Sequence, residues 1–169
     1  MGKIIKDTVD LSYLCLTELF DLSDVEIVKG NFYCDGNDLT NLEGAPHTVG
    51  GDFFCAESNL TSLKGGPHTV KSSFDCTNNN LTSLEGAPKI VKGDFNCRSN
   101  KLTSLEGLPE TIGGDLVLER YLEDEFSEKY IRSRCKIKGD VHYYDEDEYE
   151  PGYDEVEDDP GDGEGWYNY

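Results

Sequence analysis

Four cysteines, Cys34, Cys55, Cys76 and Cys97, return every 21 residues along this chain. Thiolates bind zinc and attack electrophiles, so a regular set of them first raises metal or redox chemistry. Zinc sites gather four ligands around one point, commonly from paired C-x-x-C elements, and the sequence contains no such pair. A catalytic thiol is needed once; a thiol restated four times points to architecture. These four are therefore expected to be small buried hydrophobes on strands. Cys15 and Cys135 stand outside the interval.

His47 and His68 share the same period, in "APHTV" and "GPHTV". Adjacent imidazoles can hold a metal, but no Asp, Glu or Cys accompanies them within the repeat, and Lys89 and Glu110 fill the same column later. A solvated repeat position is the expectation, and His142 has no evident partner. No nucleophile elbow, phosphate-cradling loop or H-E-x-x-H occurs. The chain reads as a non-enzyme without a cofactor.

The elements that would position these residues follow from the period itself. Units begin at Val28, Val49, Val70, Val91 and Ile112. Phe32, Phe53, Phe74, Phe95 and Leu116 are equivalent, and the four cysteines are joined by Leu118. Asn37, Ser58, Asn79 and Asn100 follow, then two leucine columns and Pro46, Pro67, Pro88 and Pro109. In "GDFNC", Phe95 and Cys97 alternate with Asp94 and Asn96, so one pair points inward and the other outward. A single such strand cannot bury its apolar face; stacked strands about 4.8 Å apart bury a continuous core. The Asn sits where the chain leaves the strand, and its amide can satisfy backbone groups of neighbouring coils. Gly-x-Pro then supplies an extended return.

The pattern F-x-C-x-x-N-x-L-T-x-L-x-G-x-P resembles the leucine-rich repeat family, whose core reads L-x-L-x-x-N-x-L-x-x-L. The short period and the proline look most like the bacterial subclass of secreted effectors, and like arrays in tailed-phage proteins. The likeness covers roughly residues 5 to 118, and departs from the family in its Phe and Cys strand positions and in Ser58. Effectors of that subclass carry a separate ubiquitin-ligase domain, for which this chain has no room.

The array extends at both ends. "IKDTVDLSYLCLTEL" (Ile5 to Leu19) fits the template with Val9 and Leu11 as the strand pair and Leu14 at the Asn position. "IKGDVHY" (Ile137 to Tyr143) echoes "VKGDFNC", and Leu122, Phe126 and Tyr130 stand at helical spacing within Glu119 to Arg134. The expected fold is mainly β: a leucine-rich-repeat solenoid with a parallel sheet of about seven strands, an irregular convex side and a C-terminal capping helix. Residues 1–27 form a divergent first repeat, 28–118 the solenoid, 119–143 the helix and terminal strand, and 144–169 an acidic disordered tail.

Charge is divided unevenly. Residues 144–169 hold 12 acids and no Lys or Arg, while the first 143 hold 23 acids and 15 bases. Such acidity disfavours direct contact with nucleic acid. No apolar run reaches membrane-spanning length, and the start lacks a signal peptide's apolar centre. A cytoplasmic location with reduced thiols is expected, the host cytoplasm if the gene is a phage's.

Outward strand positions offer a surface. Tyr33 and Phe54 stand adjacent, with Asp75, Asn96 and Val117 continuing their column; Asp52, Asp94 and Asp115 precede it, and Asp35 and Arg98 follow it. Adjacent exposed aromatics are a plausible protein anchor. The tail interleaves Tyr144, Tyr149, Tyr153, Trp166, Tyr167 and Tyr169 with its carboxylates, a composition suited to a basic groove such as that of a nucleic-acid-binding protein. The leading expectation is an interaction module that blocks a host protein. A second is a structural or self-assembling unit, a spacer or virion component, with a solubilising tail. A third is a metal site at His47 and His68 or in the tail.

Overall fold

The computed structural model describes residues 2–145, and in it the chain winds into a parallel β-solenoid. Each coil contributes one strand to each of two seven-stranded sheets. One sheet is built in order from β1 (Lys3–Ile5), β3 (Val25–Val28), β5 (Thr48–Val49), β7 (Thr69–Val70), β9 (Ile90–Val91), β11 (Thr111–Ile112) and β13 (Lys136–Ile137). The other holds β2 (Val9–Asp10), β4 (Phe32–Tyr33), β6 (Phe53–Phe54), β8 (Phe74–Asp75), β10 (Phe95–Asn96), β12 (Leu116–Glu119) and β14 (Val141–Tyr144). This is the expected mainly β solenoid. The first sheet is an addition to that expectation: the Thr-Val and Ile-Val steps preceding each bend pair with their counterparts one coil away, as Thr48 does with Thr69.

Equal repeat length keeps the register constant, so equivalent residues stack. Phe32, Phe53, Phe74 and Phe95 are wholly buried, their rings 5.1–5.4 Å apart and within 9° of parallel. The cysteine column is equally buried, and each thiol donates a hydrogen bond to a backbone carbonyl of the next coil, as Cys55 Sγ does to Asp75 O at 3.3 Å. Burial raises these thiols far above their ordinary range. The columns of Val28, Leu39 and Leu42 complete a core whose side chains repeat from coil to coil.

The Asn column performs the bend. Asn79 Nδ2 donates to Cys55 O at 2.9 Å, Cys76 O at 3.1 Å and Thr77 O at 3.2 Å, while its Oδ1 accepts from Leu60 N–H at 2.9 Å. Buried backbone groups of two coils are thereby satisfied by one side chain. Asn37 and Asn100 repeat the pattern; Ser58 keeps only a donation to Ala56 O and an acceptance from Asn37 N–H.

The C-terminal helix is shorter than the sequence spacing indicates. A 3-10 turn at Arg120–Leu122 precedes α1 (Glu128–Arg134), because Ser127 caps the helix by accepting from Tyr130 N–H. Leu122, Phe126 and Ile131 bury against the last full coil, but Tyr130 stays exposed. Arg132 ties the helix to the final coil by donating to Ile137 O at 3.0 Å and Gly139 O at 2.8 Å. No helix of the described residues is long and apolar enough to cross a membrane.

Candidate interaction groove on the sheet face

The second sheet turns its outward residues to solvent, and there the columns stop repeating. Tyr33 and Phe54 are half-buried, their ring centroids 5.4 Å apart at 37°. Beside them lies a groove of about 420 Å³ lined by Asp35, Phe54, Asp75, Asn96 and Arg98, five of the nine sheet-face residues singled out by sequence, together with Tyr13 and Glu57. Tyr33 stands beside the groove, its phenol accepting from Asn31 Nδ2.

Asp52, Asp94 and Asp115 belong to another device. Asn31 Oδ1 accepts from Asp52 N–H, Asp52 Oδ1 from Ser73 N–H, Ser73 Oγ from Asp94 N–H, Asp94 Oδ1 from Asp115 N–H and Asp115 Oδ1 from Asp140 N–H, at 2.8–3.1 Å throughout. One side-chain acceptor per coil thus receives the next coil's N–H, a ladder running beside the backbone ladder. The ladder needs an acceptor and not a charge, which is why Asn, Asp and Ser alternate in one column.

Two walls close the groove. At its N-terminal end Tyr13 arches over Gly36 and donates its hydroxyl to Glu57 at 3.3 Å, spanning 44 residues of chain. A Cβ on Gly36 would lie 2.2 Å from that ring, and Gly36 has φ of 62°. At the other end the Arg98 guanidinium lies 5.1 Å from the Tyr144 ring centroid. Tyr144 is thus the end of β14, whereas Tyr149, Tyr153, Trp166, Tyr167 and Tyr169 lie outside the described residues.

The groove's carboxylates are held in place. Asp35 accepts from Ala56 N–H at 3.0 Å, and Asp75 from Thr77 N–H at 2.8 Å and from the Thr77 hydroxyl. Burial raises the Asp35 carboxyl above its ordinary value, an effect the Ala56 N–H offsets only in part. Fixed carboxylates between aromatic walls can receive a cation or a donor.

His142 does have a partner: its Nε2 sits 3.2 Å from Asp115 Oδ2. With Asp140 these groups bring three ligand atoms within 4.8 Å of one another, the set among the described residues best placed to share a divalent ion. One Asp115 oxygen is already engaged by the ladder. His47 and His68 stack face to face at 5.2 Å and 5°, both exposed. Their in-plane lone pairs run parallel and do not converge on one ion. Sequence reasoning missed Tyr13 and Glu57 because the repeat frame draws attention to strands, and both lie in the bend after them.

Comparison with known proteins adds no relative: no protein-family model matches, and no curated protein or solved structure does.

Proposed function

We propose that this chain is a non-enzymatic interaction protein of the leucine-rich repeat class, of the short bacterial or phage type, whose sheet face docks a protein partner. The observation that carries the proposal is the groove: aromatic side chains and oriented carboxylates line a cavity on the sheet face, where equivalent positions differ from coil to coil. A fold needs its inward columns uniform, whereas the outward column passes from the aromatics Tyr33 and Phe54 to the polar Asp75 and Asn96. The net charge of −20 favours a basic partner, with a nucleic-acid-binding protein as one candidate, and steers it from a distance. In this proposal the chain acts in the cytoplasm as an accessory factor that blocks its target.

The test is a paired capture from bacterial lysate with the full chain and with Tyr33→Ala/Phe54→Ala. The pair variant should stay folded, melting within several degrees of the parent, and lose proteins that the parent retains; identical capture would sink the proposal.

A second reading, self-assembly, is favoured by the first coil. There Ile4, Leu14 and Phe20 are all more than half exposed, and β1 and β2 are edge strands of their sheets. Sedimentation that shows growing mass with concentration, abolished by Phe20→Ser, would select it over the first.

A further inference from the structure

Within the interaction reading above, the groove carries a more specific chemistry. Asp35, Glu57 and Asp75 contribute three carboxylates to its lining, and Arg98 is the one base among the described lining residues. That arginine shows what the site does with a guanidinium: the planar group lies over an aromatic ring at the groove's C-terminal end. The other end offers the same ingredients, Phe54 and Tyr13 beside Glu57 and Asp35, from residues that reach it out of three different coils.

Glu57 takes its place from the geometry of the coil. Five successive coils each set one residue of left-handed φ at this bend: Tyr13 (56°), Gly36 (62°), Glu57 (52°), Asn78 (55°) and Ser99 (50°). The bend is common to all five, and what differs is the side chain it carries beside the groove. At Glu57 that side chain is an exposed carboxylate on the groove wall, where the Tyr13 hydroxyl donates to it.

We infer that the groove end formed by Tyr13, Phe54, Glu57 and Asp35 receives an arginine side chain presented by a partner protein. The guanidinium plane would stack on the aromatic ring while its N–H groups reach the carboxylates, the two geometries that distinguish arginine from lysine. Partial burial of Asp35 strengthens such a pair by thinning the water between the charges.

Hexa-arginine peptide, titrated into the full-length protein and followed by amide chemical shifts, tests this. The inference expects shifts at Ala56, Glu57, Asn78 and Ser99. It also expects about fivefold weaker groove binding in each of Glu57→Gln and Phe54→Ala, the loss of one cation–aromatic or charge contact. Hexa-lysine should bind the groove more weakly than hexa-arginine. Unmoved groove amides, or variants that bind as the parent does, overturn the inference; so does spermine moving the same amides as tightly. Peptide held by the acidic residues beyond 145 declares itself by shifts there that groove variants leave unchanged. If the groove ignores hexa-arginine while Tyr33→Ala/Phe54→Ala still abolishes partner capture, the arginine site falls and the interaction surface stands. If hexa-arginine fills the groove but capture is indifferent to those substitutions, the interaction surface falls instead.

Discussion

Phe53 and Phe54 are neighbours with identical side chains and opposite settings. Phe53 is fully buried between Phe32 and Phe74, one rung of a stack that each coil repeats. Phe54 points the other way, half-buried beside Tyr33 and above the groove, and the next coil replaces it with Asp75. The alternation of a β-strand separates the two. Inward positions are bound by their equivalents on either side, so they cannot vary without breaking the stack. Outward positions other than the acceptor ladder carry no such obligation, and their divergence is where a function can be written.

The sharpest test of that contrast compares the two alanine variants. Phe53→Ala should cost about 3–5 kcal/mol in denaturant unfolding, through lost burial and the cavity left between two rings. Phe54→Ala should cost about 1 kcal/mol or less, as expected of a partly exposed side chain. Equal losses would mean that the outer face is structural as well. Next in size is the Asn column: Asn79→Ala abandons four hydrogen bonds at the bend and should cost about 3 kcal/mol. The reverse change is available where the column is weakest. Ser58→Asn restores the missing bridges and should raise stability by about 1 kcal/mol, read as a higher melting temperature.

Gly36→Ala probes the outer face from beneath. The new methyl meets the Tyr13 ring, and alanine at that φ adds roughly 1–2 kcal/mol of backbone strain. The wall should swing away from Glu57, loosening hexa-arginine binding, whereas Tyr13→Ala removes the wall without the strain. Thiol chemistry extends the same contrast without altering stability. Under native conditions Cys15, which is exposed, should be alkylated first by iodoacetamide, while the four columnar thiols wait for unfolding. Cys135, pushed up to about 11 by burial, should lag behind Cys15 as well. Mass spectrometry of the partly modified chain checks the order.

The columns were legible because repetition multiplies a weak signal. One F-x-C is uninformative, but four in register specify strand, core and stacking distance together. Features without an equivalent in each unit were hidden. The Tyr13 strap joins residues 44 apart through a side chain that occurs once, and His142 meets Asp115 only because the last coil folds back into register. The sheet that begins with β1 escaped for another reason: each of its regular steps, β5, β7, β9 and β11, buries a single residue, so no alternating apolar pair like F-x-C marks it as a strand. The acidic column has a structural use that composition does not reveal. Asp52, Asp94 and Asp115 read as a charged edge for a partner, yet each uses a carboxylate oxygen to take the next coil's N–H.

Acid titration separates the two kinds of aspartate on this face and gives the smallest effect. Asp115, in the ladder, is held below its ordinary 3.8, first by the Asp140 N–H and further by His142. Asp35, in the groove, is raised above 3.8, because burial outweighs its hydrogen bonds. As pH falls, Asp35 should take up its proton first and Asp115 last, an order that carboxyl carbon shifts read directly. The stability consequences have opposite signs. The ladder carboxylate contributes stability above 3.8 that disappears as pH drops through its lowered folded value. The groove carboxylate costs stability while charged, and that cost is relieved as pH drops through its raised folded value. Asp35→Asn keeps an acceptor for the Ala56 N–H and removes the buried charge, so it should be neutral or slightly stabilising at pH 7. That small advantage should vanish below 3.8. An Asp35→Asn chain that is less stable at pH 7 would make this carboxylate part of the scaffold; one that is more stable leaves its negative charge to be explained by what the groove binds.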